Sequence, residues 1–427
     1  MHANIVRDQC IPTSEEGIKA LFDDFVLSTY GRFPLTLQRG KGSHVWDVNG
    51  RRYLDMGGGI AVNVLGHAHP ELVETLSEQA STLMHCSNLY YQRWQGELAR
   101  ELVHRIGNGK CFFANSGAEA NEGMFKLARK FGSEEGRFEI LSCQNSFHGR
   151  TMAGIAATGQ PKVKEGFAPM VPGFRHVPFN DLEAVEKAIS PATVAILLEG
   201  VQGEGGILPA SPEYLKGLRA LCDQHDLLML WDGIQCGHYR TGYLHSYASI
   251  LSDDPQCADF VPDAISMAKS LGGGFPLGAF WVRERYQDIL GAGTHGSTFG
   301  GNPLACSVAL KILEIIKRDS LDKNAVQMGG MLMHGLRILA AKFPDYIQDV
   351  RGLGLMIGLV FHPRASVGDH VARPVSLQIV ECLHAHGMLT IPSGTQVVRF
   401  LPGLNILPSE VEEALSLLNT TLESIEI

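Results

Sequence analysis

Several things are missing from this chain of 427 residues, and each absence removes a class of function. Its nine cysteines include no CxxC pair and fall at irregular spacing. That pattern suits reduced thiols in a cytoplasm better than a disulfide framework. No apolar run is long enough to span a bilayer. The first residues, MHANIVRDQCIPTSEEG, lack the apolar core of a secretory signal. Positive charge is in deficit: 36 Lys and Arg stand against 45 Asp and Glu, a formal net charge of -9. A broad basic footprint for nucleic acid is therefore excluded. There is no Walker phosphate loop, no HExxH helix and no GxSxG elbow. GLGLMIG at 352–358 lacks both the dinucleotide spacing and a following helix, so its glycines read as turn or close-packing positions. The expectation is a soluble cytoplasmic protein without membrane or nucleic-acid partners.

Hydrophobic residues, at 45 %, give ample material for a core. Through the middle of the chain, apolar strand-like runs alternate with amphipathic ones: KCFFAN, then AEANEGMFKLARKFG; TVAILLEG, then PEYLKGLRALCDQHD; then LLMLWD, DAISMA and LGAFWV. This alternation predicts an α/β fold with a mainly parallel sheet flanked by helices. The ends read differently. SHVWDVNGRRYLDM predicts a hairpin with Asn49-Gly50 as its turn. From about Leu310 a long helical pattern precedes GLGLMIGLVF, VVRFLPGLNI and a closing helix. The expected division is a large domain over 71–315 and a smaller α+β domain built from 1–70 and 316–427.

Four segments carry chemistry, and a fifth poses a question. In LLMLWDGIQCG a buried strand runs into Asp232, a carboxylate that is costly to desolvate unless a cation meets it. In FFANSGAEANE a strand ends at Asn115, and Ser116, Gly117 and Ala118 open a helix. That start is either an anion site or an ordinary capping box completed by Glu119. In ISMAKSLGGGFPLGA, Lys269 follows a strand and precedes a glycine loop, a position for a Schiff-base amine or a solvated lysine. SFHGRTMAG places Phe147 near Arg150, which is either a solvated loop arginine, the commoner case, or one that grips a carboxylate. HGSTFGGNP sets Ser297 and Thr298 among glycines as further phosphate contacts or a plain loop. His67 and His69 in LGHAHPEL have no acid or Cys partner nearby in sequence. They read as a turn before a helix starting at Pro70, and no metal site is expected. A phosphate site, an amine nucleophile, a ring-stacking aromatic and a buried carboxylate are together the parts that hold pyridoxal 5'-phosphate. The missing cation is then the protonated pyridine nitrogen, facing Asp232.

From TYGRFPLTLQRGKG to VVRFLPGLNI the chain resembles the class III pyridoxal-phosphate aminotransferases, through NSGAEANE, FHGRT, VQGEGG, MAKSLGGGFPLGA and HGSTFGGNP in order. The resemblance implies fold type I and a homodimer with shared active sites. It implies that Lys269 tethers the cofactor and shuttles the proton between Cα and C4′, with Asp232 on the pyridine nitrogen and Gln235 near the ring hydroxyl. Phe147 would stack on the ring, Ser116, Gly117 and Ala118 would bind phosphate, and Thr298 would do so from the neighbouring subunit. Arg150 would hold a substrate carboxylate, with Ser297 close by. Arg399 would take the α-carboxylate of glutamate or 2-oxoglutarate, and Glu204 would mask it when a terminal amine binds. TYGRFPL and SNLYYQ point to transfer of the δ-amino group of N2-acetylornithine to 2-oxoglutarate. Other ω-amines (succinylornithine, ornithine, 4-aminobutyrate) are the alternatives, with a non-catalytic regulatory dimer as the rival of another class. The chain departs from the family pattern at Gly233, where a glutamate is usual, and at Gly200 and Gly403, where prolines are. The segment SYASILSDDPQCADFVPD is also long. The change at 233 is expected to bear on specificity and rate.

Overall fold

The structure is a computed structural model that describes residues 13–363 and 373–425. Residues 1–12, which hold most of the N-terminal stretch quoted above and the first part of the expected small domain, lie outside the described residues. Seven strands form the main sheet, in the order Gly109–Ala114, Gly278–Arg283, Ala264–Met267, Leu228–Asp232, Thr193–Glu199, Glu139–Cys143, Phe174–Val177. Strand Gly278–Arg283 pairs antiparallel with both its neighbours; the other pairings are parallel.

The continuous apolar run at 227–231 follows from burial on both faces of this sheet. Alternate side chains separate cleanly. Leu228 and Leu230 pack with Met124, Phe125 and Phe280 beside helix Gly117–Phe131. Met229 and Trp231 pack with Leu98, Leu102, Leu215 and Leu218 on the other side, from helices Arg93–Ile106 and Pro212–Gln224.

A second, antiparallel sheet has the order Ile347–Leu353, Met356–Phe361, Val397–Phe400, Ile391–Ser393. Helices Leu321–Lys342, Val375–Ala385 and Pro408–Ser424 share its apolar cluster, around Leu332, Leu359, Phe400 and Leu418. Period two along Val397–Phe400 sends Val398 and Phe400 into that cluster, and leaves Val397 and Arg399 facing the main sheet's loops.

Near the N-terminus, His44–Asp47 and Arg52–Asp55 form the expected hairpin, and Arg52–Asp55 also pairs in parallel with Met388–Leu389. The two ends of the chain thus share a sheet. The hairpin connection is longer than a two-residue turn. Asp47 Oδ1 accepts the N–H groups of Asn49 and Arg51, both at 2.9 Å, and Gly50 takes φ +82°. Helix Pro70–Thr82 begins at its proline, with His69 at the cap, while His67 Nε2 lies 2.7 Å from Asp55 Oδ2. The long helical pattern divides into Pro303–Arg318 and Leu321–Lys342, broken where Ser320 adopts φ +53°. At GLGLMIG, Gly352 and Gly354 have positive φ; Gly352 lies in strand Ile347–Leu353, paired with Ile357, and Gly354 with Leu355 makes the turn to the next strand.

Candidate active site

A cavity of about 400 Å³ opens at the C-terminal ends of the parallel strands, where open α/β sheets place their ligands. Adjacent strands deliver Glu199 and Asp232 at paired positions in the ladder. The segment after Ala264–Met267 delivers Lys269, the segment after Gly109–Ala114 delivers Ser116, and the loop after Glu139–Cys143 delivers Phe147, His148 and Arg150.

Asp232 is buried, and three donors converge on it. Oδ2 lies 2.8 Å from Nδ2 of Asn121 and 2.8 Å from Nδ1 of His148, and Oδ1 accepts the N–H of Ile234 at 3.1 Å. A carboxylate only accepts, so His148 presents Nδ1–H to it. Asn121 also donates to the His148 carbonyl at 2.9 Å, which fixes the histidine loop onto helix Gly117–Phe131. A second buried carboxylate stands alongside. Glu199 accepts the N–H of Phe147 and the N–H of Gly203, each at 3.0 Å. Burial, with Asp232's charge adding to it, pushes the Glu199 carboxyl up to about 7 against the pull of His148.

Also lining the cavity, Ser116 caps helix Gly117–Phe131, its hydroxyl accepting the N–H of Glu119 at 3.2 Å. Glu119 returns to the N–H of Asn115 at 2.6 Å rather than to the cap residue itself. Among the described residues nothing accepts the N–H groups of Gly117 and Ala118, which line the cavity. They form the positive end of a fifteen-residue helix. Arg150 is exposed at the rim, 5.6 Å from the Phe147 ring centroid.

Lys269 sits at the start of a single 3₁₀ turn with φ +48°, a left-handed conformation that non-glycine residues adopt rarely. Burial lowers its amine from the ordinary 10.5 to about 8; Glu204, Asp232 and Glu199 pull it back up without overcoming that, while Arg399 pushes it further down.

Arg399 and Glu204 form a two-pronged ion pair, Nη1 to Oε1 at 2.6 Å and Nη2 to Oε2 at 3.1 Å. Arg399 is 2 % exposed. Burial pushes the Glu204 carboxyl up, but Arg399, by charge and hydrogen bond, and Lys269 more than offset it, so its pKa is lowered. Gln235 belongs to the same cluster: its Oε1 accepts from Arg399 at 3.3 Å and its Nε2 lies 3.5 Å from Glu204.

Ser297 and Thr298 are not brought into this cavity within one chain. Ser297 Oγ accepts from Asn115 at 3.1 Å and from the Gly300 N–H at 2.9 Å. Thr298 is exposed, on a shallow surface pocket with His85, Ser87 and Asn88.

Residues 26–422 match the family described as Aminotransferase class-III. The chain belongs to the class III aminotransferases. Curated relatives cover nearly all of it. The acetylornithine aminotransferase of Caldanaerobacter subterraneus is 43 % identical over 94 % of this chain and 98 % of its own. That of Methanocaldococcus jannaschii is 41 % identical over 97 % and 100 %. Among solved structures, the ornithine aminotransferase of Toxoplasma gondii superposes with a TM-score of 0.89 at 31 % identity, covering 96 % and 95 % of the two chains. The N-acetylornithine aminotransferase of Stenotrophomonas maltophilia gives 0.78 at 35 %, covering 93 % and 98 %. The fold is that of this family, fold type I.

In this aminotransferase, sequence reasoning overlooked His148, Asn121 and Glu199. His148 lies within FHGRT, Asn121 within NSGAEANE, and Glu199 is the last residue of strand Thr193–Glu199, so a polar residue inside a motif or at the very end of an apolar strand was the available signal. The change at Gly233 also has a different meaning in the fold. Position 233 does not line the cavity. A Cβ there would meet Ser266 O at 3.0 Å and His245 Nδ1 at 3.1 Å, so the position faces the packed side of the strand. At Gly200 a Cβ would come within 2.3 Å of the Trp231 ring and 2.4 Å of Ser246 Oγ, which gives the glycine a close-packing reason. Ser246 opens the short helix Ser246–Ile250 of the long segment, whose Tyr247 ring stands edge-on to Trp231 at 5.3 Å.

Proposed function

We propose that this aminotransferase moves the δ-amino group of N2-acetylornithine to 2-oxoglutarate with the help of pyridoxal 5'-phosphate. The observation that carries the reading is the convergence on one cavity of a lysine amine, a helix N-terminus with open N–H groups and a triply hydrogen-bonded carboxylate. These residues fit the cofactor's three distinct ends: Gly117 and Ala118 N–H with the Ser116 hydroxyl for the phosphate, Lys269 for the aldehyde, Asp232 for the ring nitrogen. Phe147, which lines the same cavity, would pack on the ring. When bound, pyridoxal phosphate supplies a carbonyl that takes up amino groups and a ring that accepts the electron pair released from a C–H bond.

The chain's own residues do the rest. At neutral pH an amine titrating near 8 leaves a useful fraction of Lys269 unprotonated, so it can act as nucleophile and as proton carrier. The Nδ1–H of His148 and the Nδ2–H of Asn121 fix the direction of the Asp232 carboxylate. Arg399 serves an α-carboxylate when one arrives. Glu204 neutralises the arginine when the reacting carbon of an ω-amine carries none, since a buried bare guanidinium would be costly. The names of the curated relatives support the acetylated substrate; succinylornithine, ornithine and 4-aminobutyrate share the chemistry and belong in the same screen.

Two further elements of the reading are a homodimer and a cytoplasmic setting. The dimer is supported by exposed apolar side chains at Leu89, Tyr90, Tyr91 and Phe299, close to Thr298 in sequence or in the same loop pair, and by helix Glu15–Phe25, which buries none of its residues. Among the described residues no helix is long and apolar enough to cross a membrane.

Single-turnover absorbance tests the function. Cofactor-loaded protein mixed in turn with N2-acetylornithine, succinylornithine, ornithine, 4-aminobutyrate and glutamate should lose its visible band fastest with acetylornithine, and also with glutamate. 2-Oxoglutarate should restore the band. A band that ignores acetylornithine while responding to another amine would reassign the substrate, and a band that ignores every donor would end the enzymatic reading.

A further inference from the structure

The loop Gln202–Gly206 carries glycines on both sides of Glu204, a composition that leaves a backbone free to swing. Here it is tied at nearly every step. Gln202 Nε2 donates to the Gln144 carbonyl at 2.9 Å. The N–H of Gly203 donates to Glu199 at 3.0 Å, and its carbonyl accepts from Ser393 Oγ at 3.0 Å. The next carbonyl, that of Glu204, accepts from the same hydroxyl at 2.9 Å. A serine has one hydroxyl hydrogen, so Ser393 shares it between two successive carbonyls. Two residues on, Nε and Nη2 of Arg351 both donate to the Gly206 carbonyl, at 3.0 and 2.8 Å.

Neither Ser393 nor Arg351 lines the cavity. Both stand on the sheet that carries Arg399. Ser393 lies on the strand beside it, in the register that pairs Ile391 with Arg399 and Ser393 with Val397. Arg351 lies on the far side, beyond Met356–Phe361. The arginine and the anchors of the loop that masks it are therefore fixed to one rigid element.

We propose that Ser393 and Arg351 are positioning residues for the Glu204 gate. They immobilise the 203–206 backbone, so that Glu204 leaves Arg399 by side-chain rotation alone, and they set how readily a carboxylate displaces it. The proposal rests on the reading that Glu204 masks Arg399. With the anchors in place, the closed ion pair is preorganised and glutamate must compete against it. Loosening an anchor weakens the closed state, and the substrate that needs Arg399 open gains.

Single-turnover efficiency with glutamate, divided by that with N2-acetylornithine, reads this directly in the cofactor-loaded enzyme. Ser393→Ala should raise the ratio about threefold to tenfold, the effect of one hydrogen bond. Ser393→Thr, which keeps the hydroxyl, should restore the wild-type ratio. Placed on top of Glu204→Ala, Ser393→Ala should leave the ratio where Glu204→Ala put it, because there is no longer a gate to hold. Arg351→Met provides the same test from the opposite side of the loop, should the serine variant fail to fold. If Glu204→Ala changes the ratio but neither anchor variant does, the positioning role is wrong and the gate stands. If an anchor variant lowers both efficiencies equally, or shifts the ratio just as much without Glu204, the residue only supports the fold and the proposal is overturned. If Glu204→Ala itself leaves the ratio alone, it is the gate that fails.

Discussion

Replacing Lys269 by methionine should stabilise the cofactor-free protein, although it removes the residue on which transfer depends. The amine loses its proton near pH 8 in the folded chain and near its ordinary 10.5 when unfolded. At 1.36 kcal/mol per pH unit, that difference amounts to about 3 kcal/mol of strain from holding an ammonium in a desolvated wall. The sign follows from proton counts. Below pH 8 both states carry the proton and the folded state bears the full penalty. Between 8 and 10.5 the unfolded chain keeps its proton while the folded one does not, so wild-type stability rises with pH until the penalty is gone. Methionine has nearly the same shape and no charge. Thermal or urea denaturation of cofactor-free wild type and Lys269→Met should therefore show the variant ahead at pH 7, the advantage shrinking through pH 8 to 10.5. Added pyridoxal phosphate should reverse the order, since only the wild type can tether it. Amino transfer should be abolished at every pH. A variant less stable than wild type at pH 7 without cofactor, or a gap that does not close in alkali, would refute the argument.

Asp232→Asn should weaken cofactor binding and slow the half-reaction by about a hundredfold or more, as happens when a preorganised electrostatic partner is lost. Its amide must also face three donors, those of Asn121, His148 and Ile234, and cannot accept from all of them. Titration with pyridoxal phosphate and single-turnover absorbance check this, and near-normal rates would contradict it. Gly233→Glu should lower the melting temperature through overpacking, worth about 1–3 kcal/mol, because a Cβ already crowds Ser266 O and His245. Its ratio of acetylornithine to glutamate efficiency should stay that of wild type, and a changed preference would show that the position reaches the substrate after all.

What could be read before the fold was known divides along a physical line. Signals confined to a short stretch were legible. The continuous apolar run ending at Asp232 is a strand buried on both faces, the serine and small residues after Phe113 open a helix, and Lys269 follows a strand. Each depends on local periodicity and local capping. The two-helix break at Ser320 was not visible, because no glycine or proline marks it and a left-handed serine is decided by the packing of the helices it joins. The hairpin turn at Asn49-Gly50 is legible from its signal, while the length of the connection is not, because it depends on the carboxylate of Asp47 accepting two backbone N–H groups.

The site shows the same division at higher stakes. A carboxylate at the end of a buried strand demands compensation, and its position in the chain says so. Which groups compensate is a property of the sheet order. Strand Leu228–Asp232 lies next to Thr193–Glu199, so a second acid arrives beside the first. Helix Gly117–Phe131 crosses that face of the sheet, so Asn121 reaches Asp232 from 111 residues away. His148 comes from the loop of a third strand. With three donors already on it, Asp232 needs no bound cation to be tolerated in the folded chain. Its carboxylate is oriented before any ligand arrives, by groups that would each have to move for it to turn away. A pyridinium ring entering the cavity would then meet a charge whose desolvation the fold has already accomplished, which is the condition for an electrostatic partner to act without reorganising.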